Sequence, residues 1–188
     1  THHLLEKLDQ GEIQFALIEG LFDKTAYHSE LFAIEPFIPV CSSASPLADR
    51  PLSFQELPQN SLIIREQGSG TREISEHLLQ KHNLSVTSFS KVTEIGNMEV
   101  IKQLVRDDLG ITFLYRAAAK KELNQGELKQ IPIADGDLKQ TPVSDQDAHH
   151  ELNFVFLKNS QHAPNFLTWF HTFKEHYDLK EYCDGEHR

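Results

Sequence analysis

Basic residues are scarce for a chain this acidic: 18 Lys and Arg stand against 28 Asp and Glu, a formal charge of -10. A phosphate backbone is gripped by clustered Lys and Arg, so this shortage argues against the chain itself holding nucleic acid. Cysteine is also sparse. Cys41 and Cys183 are too few for a disulfide scaffold and lack metal-type pairing, which makes a reducing cytosol the simpler setting, with a single bridge the alternative. No uninterrupted apolar stretch is long enough to span a bilayer, and the polar start Thr1-His2-His3 is not a secretory leader. What remains is an ordinary globular composition: 188 residues, 39% hydrophobic, enough for one domain or two small ones.

The most informative segment is Arg65-Glu66-Gln67-Gly68-Ser69-Gly70-Thr71-Arg72. Leu62-Ile63-Ile64 predicts a strand, the glycines permit a tight turn, and Ile74, Leu78 and Leu79 give the following segment a helical apolar face. The first turn of a helix offers N–H groups without intrahelical acceptors, so this turn can seat a carboxylate, sulfate or phosphate, with the Ser69 and Thr71 hydroxyls and the Arg72 charge nearby. An ordinary loop with a Ser or Thr N-cap is the competing interpretation.

Along the rest of the chain, Leu4, Leu5 and Leu8 predict a helix already under way, closed by Gly11, and residues 13–18 a strand. Leu31 to Val40 is extended, and Pro36 and Pro39 favour an edge strand or an irregular crossover. A loop over 43–58 holds a short helical turn at 54–57, residues 61–65 are a strand, and 71–81 a helix. Alternation predicts another strand over Val86–Val92. Asn97 is a good N-cap for a helix carrying Met98, Ile101, Leu104 and Val105, with Gly110 closing it and a strand over 111–115. An Ala- and Lys-rich helix over 116–123 and a strand near 128–133 follow. Residues 134–150 are a polar connector, 152–157 a strand, and Pro164 opens a helix whose Phe166, Leu167, Phe170 and Phe173 form a core-facing stripe. The tail from Tyr177 is polar. This alternation predicts parallel sheets covered by helices, with Glu19-Gly20 and Gly96-Asn97 at strand ends beside the Gly-Ser-Gly-Thr turn.

Taken in order, Leu8-Asp9-Gln10-Gly11-Glu12-Ile13 through Glu19-Gly20, Ser45-Pro46-Leu47-Ala48, Gly68-Ser69-Gly70-Thr71-Arg72, and Ile101-Lys102-Gln103-Leu104-Val105 leading to Leu109-Gly110-Ile111-Thr112-Phe113-Leu114 resemble the effector-binding domain of LysR-type transcriptional regulators. The resemblance implies an α/β, two-lobed fold of the periplasmic-binding-protein type 2 class with a ligand cleft between the lobes. Lobe I would comprise 1–64 with 146–188, and lobe II 65–145. It puts the ligand-binding positions at Glu19, Gly20, Ser69, Gly70, Thr71, Gly96, Asn97 and Phe113, with Arg65 and Gln67 as hinge or wall. Glu19 departs from the hydroxyl often useful there, and would repel an anion or demand an amine. The family's domain normally has a strand and a helix before the point corresponding to Thr1. The implied partners are a small, anionic effector, a second copy or a tetramer in which the helix from Thr71 meets that of Leu4 to Leu8, and DNA only through an upstream helix-turn-helix. No cofactor, metal, membrane or catalysis is implied. A transport-type solute-binding protein and an enzyme on the same scaffold are the alternatives. The histidines around His149-His150-Glu151, with Asp145 and Asp147, do not have His-Glu-x-x-His spacing, and Cys41 has no identifiable base.

Overall fold

The computed structural model describes residues 1–19, 22–134 and 149–185, with side chains for all of these except 149 and 177–185. The chain divides into two compact units, residues 1–34 with 151–188, and residues 35–150.

The first unit contains α1 (His2–Asp9), β1 (Phe15–Glu19), the start of β2 (Tyr27–Ser42), most of β7 (His149–Leu157) and α5 (Ala163–Gly185). β1 runs antiparallel to β7, with Ala16 opposite Val155 and Leu17 opposite Phe154. Strand alternation sends Ala16, Ile18 and Val155 to one face, where they bury Leu8 of α1 and Tyr27. The other face stacks Phe15 on Phe154 at 5.0 Å and Phe156 against Phe166 of α5 at 5.3 Å. Phe166 and Phe170 are core, Leu167 half-buried, whereas Phe173 is 45% exposed, so the expected stripe ends at Phe170. The segment from Tyr177, expected as a polar tail, continues α5 to Gly185.

The second unit holds the rest of β2, β3 (Ser61–Ile64), α2 (Gly70–Lys81), β4 (Lys91–Glu94), α3 (Met98–Arg106), β5 (Thr112–Tyr115), α4 (Arg116–Asn124) and β6 (Leu128–Gln130). β3 and β4 are parallel, Ser61 opposite Lys91 and Ile64 opposite Glu94. Ile63 and Ile111 join the start of β5 to β3, Ile63 N–H donating to the Ile111 carbonyl at 2.8 Å. From Leu62 to Ile64 β3 is apolar because both its faces are covered: Leu62 and Ile64 pack with Ile74 and Leu78 of α2, and Ile63 with Ile101 and Val105 of α3.

The sheets are not uniformly parallel, as the alternation predicted. β1–β7, β2–β5 and β2–β6 are antiparallel. Parallel pairing needs a crossover that returns the chain to the same end, and the run β3-α2-β4-α3-β5 supplies such helices. β2 is also a continuous 16-residue strand inside the order β1-β7-β2-β5, neither an edge nor irregular, and it passes from the first unit into the second. Pro39 lies opposite Phe113, and its carbonyl accepts the Ile131 N–H at 2.9 Å. The N and C=O of a strand residue point the same way, so the donor that proline lacks is one β5 does not need. The expected lobe boundary at 64/65 falls inside the second unit, because the second half of β2 is tied to β5 and β6.

Two further departures are local. Residues 86–88 form a 3-10 turn rather than a strand, closed by the Ser88 hydroxyl on the Ser85 N–H at 3.0 Å, and the strand begins at Lys91. α3 is closed by Asp108 at φ 58°, with Leu109 N–H reaching the Leu104 carbonyl at 3.1 Å, and not by Gly110. Gly110 serves close approach instead: a Cβ there would stand 2.5 Å from the Ser61 carbonyl oxygen.

Candidate functional site

Because β3 and β4 are adjacent and parallel, the segments leaving their carboxyl ends are neighbours. One is Arg65 to Arg72, opening α2; the other is Ile95 to Asn97, opening α3, whose Ile95 N–H donates to the Ile64 carbonyl at 2.9 Å. This register brings Ser69, Gly70, Thr71, Gly96 and Asn97 to one end of the second unit, where ligands of open α/β sheets collect. Ser69 is the N-cap of α2 by backbone conformation, and its side chain makes no cap hydrogen bond. Ser69, Gly70 and Thr71 are buried, Gly96 and Asn97 exposed. The Asn97 Oδ1 accepts from the Glu99 and Val100 N–H groups at 2.9 and 3.2 Å, which caps α3 and leaves its amide NH2 as the group able to donate outward.

The charges are distributed unlike the expectation that Arg72 would face an anion. Arg72 is buried and turned into the fold: Nε donates to Glu76 Oε1 at 2.8 Å, and Nη1 to Glu94 Oε2 at 2.5 Å and to the Arg65 carbonyl at 3.0 Å. Burial works against its charge, but the hydrogen bonds it donates to Glu76 and Glu94 outweigh that and raise its pKa. The Arg72–Glu94 pair depends on the β3–β4 register, which periodicity does not reveal, whereas Glu76 is visible as the i+4 partner. Glu66 is the residue that sequence reasoning passed over. Its carboxylate pairs with Arg65 and comes 3.7 Å from where a Cβ on Gly96 would stand, so it belongs to both segments. The Arg65 hydrogen bond holds the Glu66 carboxyl below the usual carboxylate range.

Glu19 ends β1 in the first unit, paired with Leu152 and with its carbonyl accepting the Thr1 hydroxyl at 2.7 Å. Gly20 lies outside the described residues, as do Asp145 and Asp147. Phe113 is 3% exposed and packs with Phe37, Leu62 and Tyr115. Two concavities in the second unit involve none of these positions: one of about 260 Å³ between α3 and α4, and one of about 330 Å³ around Ser45, Asn60 and Gly110. Among the described residues no group of three or more His, Cys, Asp or Glu is placed to hold a metal, and no helix is long and apolar enough to cross a membrane.

Comparison with known proteins gives this geometry a context. The HTH-type transcriptional regulator YeiE of Escherichia coli is 35% identical over 121 residues, 64% of this chain and 40% of that protein. The regulator CfxR of Cupriavidus necator is 33% identical over 132 residues, 70% of this chain and 41% of that one. The chain thus spans about two-fifths of the curated relatives it matches. Among solved structures, the regulatory domain of CcmR from Synechocystis PCC6803 in complex with 2-PG superposes with a TM-score of 0.72 at 21% identity, covering 92% of this chain and 78% of that one. The effector-binding domain of QuiR in complex with shikimate gives 0.70 at 17%, covering 93% and 78%. These likenesses establish the fold as that of the periplasmic-binding-like type 2 effector domains of regulators. The family model for the LysR substrate binding domain matches residues 1–178, and the chain belongs to that family.

Proposed function

We propose that this chain is the effector-sensing part of a LysR-type transcriptional regulator, taking a small oxyanion at the start of α2. The observation that carries this reading is the convergence, at the ends of adjacent parallel strands, of the α2 N-terminus with Ser69, Gly70 and Thr71 and the Gly96-Asn97 segment. A helix start supplies oriented N–H groups and the positive end of a dipole, the small residues let a ligand approach the backbone, and the Asn97 amide can donate. That the CcmR and QuiR domains are solved with 2-PG and shikimate supports a small-molecule effector here.

The ligand acts by differential affinity for two arrangements of the protein, and so biases a helix-turn-helix in the rest of the regulator toward or away from DNA. The names of the curated relatives support that wider role, the cytoplasm is its setting, and pairing with a second copy is part of the same reading. Leu8 cannot be a pairing residue, because it is fully buried against its own sheet; Leu4, 39% exposed, remains available. Native mass spectrometry of the full-length gene product, repeated after denaturation, tests the proposal. A dimer or tetramer that releases an acidic small molecule is expected. A protein that carries none, and binds none from a metabolite panel, would refute it.

A further inference from the structure

The two arginines flanking the turn differ in what they can do. Arg72 is spoken for by Glu76, Glu94 and a backbone carbonyl, with its side chain only 10% exposed. Arg65 instead presents Nε and Nη2 to the two carboxylate oxygens of Glu66, at 2.7 and 2.8 Å. This bidentate fork is the geometry that a ligand carboxylate or phosphate would use. Glu66 also touches both candidate segments: its carbonyl accepts the Ser69 N–H at 3.3 Å, and its carboxylate lies over Gly96. The pair is partly exposed, 22% for Arg65 and 41% for Glu66, and ion pairs of that kind exchange at little cost.

We propose that Glu66 is a built-in competitor for the effector's acidic group, occupying the Arg65 fork until an oxyanion displaces it, so that Arg65 is the specificity-determining cation of the site. This rests on the oxyanion-sensing reading of the α2 start. A neutral ligand gains nothing by breaking the Arg65–Glu66 pair. An oxyanion replaces one fork with another, while the displaced Glu66 carboxylate returns to water. The site would thus reject neutral analogues of its effector, without any cation kept permanently bare.

Titration of the ¹⁵N-labelled chain with acetate and, separately, with inorganic phosphate tests this, following the Arg65 Nε–H signal and the amides of Gly70, Thr71 and Gly96. In the natural chain, the anion should move the Arg65 signal together with those amides. Glu66→Gln should bind about fivefold more tightly, the weight of one partly exposed ion pair. Arg65→Lys, which keeps the charge but loses the fork, should bind more weakly. The stronger of the two probes identifies the oxyanion the fork prefers. If the amides move while the Arg65 signal stays fixed and Glu66→Gln binds no better, the competitor role is wrong and the oxyanion site survives. If neither anion moves any of these amides in any variant, both fall.

Discussion

At the scale of single residues, two glycines with similar sequence credentials have different work. Gly110 is a packing glycine: a methyl group there would overlap the backbone carbonyl of Ser61, with the Ile63 side chain also near at 3.2 Å. Gly110→Ala is expected to cost about 1–3 kcal/mol, the range for overpacking a tight contact, read as a shift in urea midpoint. Gly96 meets only the Glu66 side chain at ordinary van der Waals distance. Gly96→Ala should leave the urea midpoint within about 0.5 kcal/mol of the natural chain, as surface changes do, and weaken oxyanion binding because the methyl group fills the proposed site.

The Lys102–Glu122 pair, 2.8 Å apart with both side chains about nine-tenths buried, makes a second residue-scale case. Burial opposes ionisation of Glu122, yet the Lys102 hydrogen bond prevails and its pKa is lowered; burial likewise opposes the Lys102 charge, and Glu122 prevails there, raising its pKa. Glu122 Oε2 is buried and finds no hydrogen-bond partner, so the pair is imperfectly satisfied. Glu122→Ala should cost about 3 kcal/mol by leaving the Lys102 charge deprived of its buried partner, with the exposed Glu99 at 2.9 Å keeping the loss at the low end. A carboxyl with a lowered folded pKa contributes stability above its unfolded value and loses it as pH falls through the folded one. Glu122→Gln should therefore flatten the acid limb of the stability curve, measured by urea melts across the carboxylate range. An unchanged limb would show that the pair carries no such linkage.

At the scale of elements, the Gly11 end of α1 and the Asn97 cap were legible, the Gly110 end assigned to α3 was not borne out, and strand direction was the least legible feature. Gly11, Asn83, Asp108 and Gly126, all at positive φ, end α1 to α4 with the same reversed hydrogen-bond pattern, as where Leu84 N–H reaches Leu79 and Glu127 N–H reaches Glu122. Gly11 and Gly126 have the expected residue type; Asn83 and Asp108 use the tolerance of short polar side chains for that conformation. The Asn97 cap was readable in the same way, and Asn97→Ala should cost about 1 kcal/mol, seen as a lower urea midpoint with an unchanged slope. Apolar spacing also located β3, α2, α3 and β5 to within a residue or so. It did not yield strand direction, because periodicity says which face is buried and not which neighbour a strand meets. Hence β2 looked like an edge from its prolines, and the Arg72–Glu94 pair was out of view. Alternation at 86–92 misled for another reason: Ser85 and Ser88 satisfy each other's backbone locally, and a 3-10 turn results.

For the molecule as a whole, family membership was legible because short motifs kept their order over nearly the full chain, although no one motif is decisive. The lobe boundaries were less so. β2 passes from one compact unit into the other as one continuous strand, and the division at 34/35 falls at Ile34-Glu35-Pro36, where the proline points to an edge or irregular crossover and not to a boundary. Of the candidate site, the turn residues and Gly96-Asn97 were legible as strand-end segments, and they follow adjacent parallel strands, whereas the Arg65–Glu66 pair emerges only from the three-dimensional arrangement. A thermal-melt screen of acidic metabolites against the natural chain and Gly96→Ala tests the central claim most directly. A ligand at a hundred times its Kd stabilises by about 2.7 kcal/mol, a Tm rise of roughly 5–10 °C for a domain of this size. The expected result is at least one acidic metabolite that raises Tm in that range for the natural chain and far less for Gly96→Ala. If no acidic metabolite stabilises the chain, or those that do stabilise Gly96→Ala equally, an oxyanion sensor at the start of α2 is contradicted.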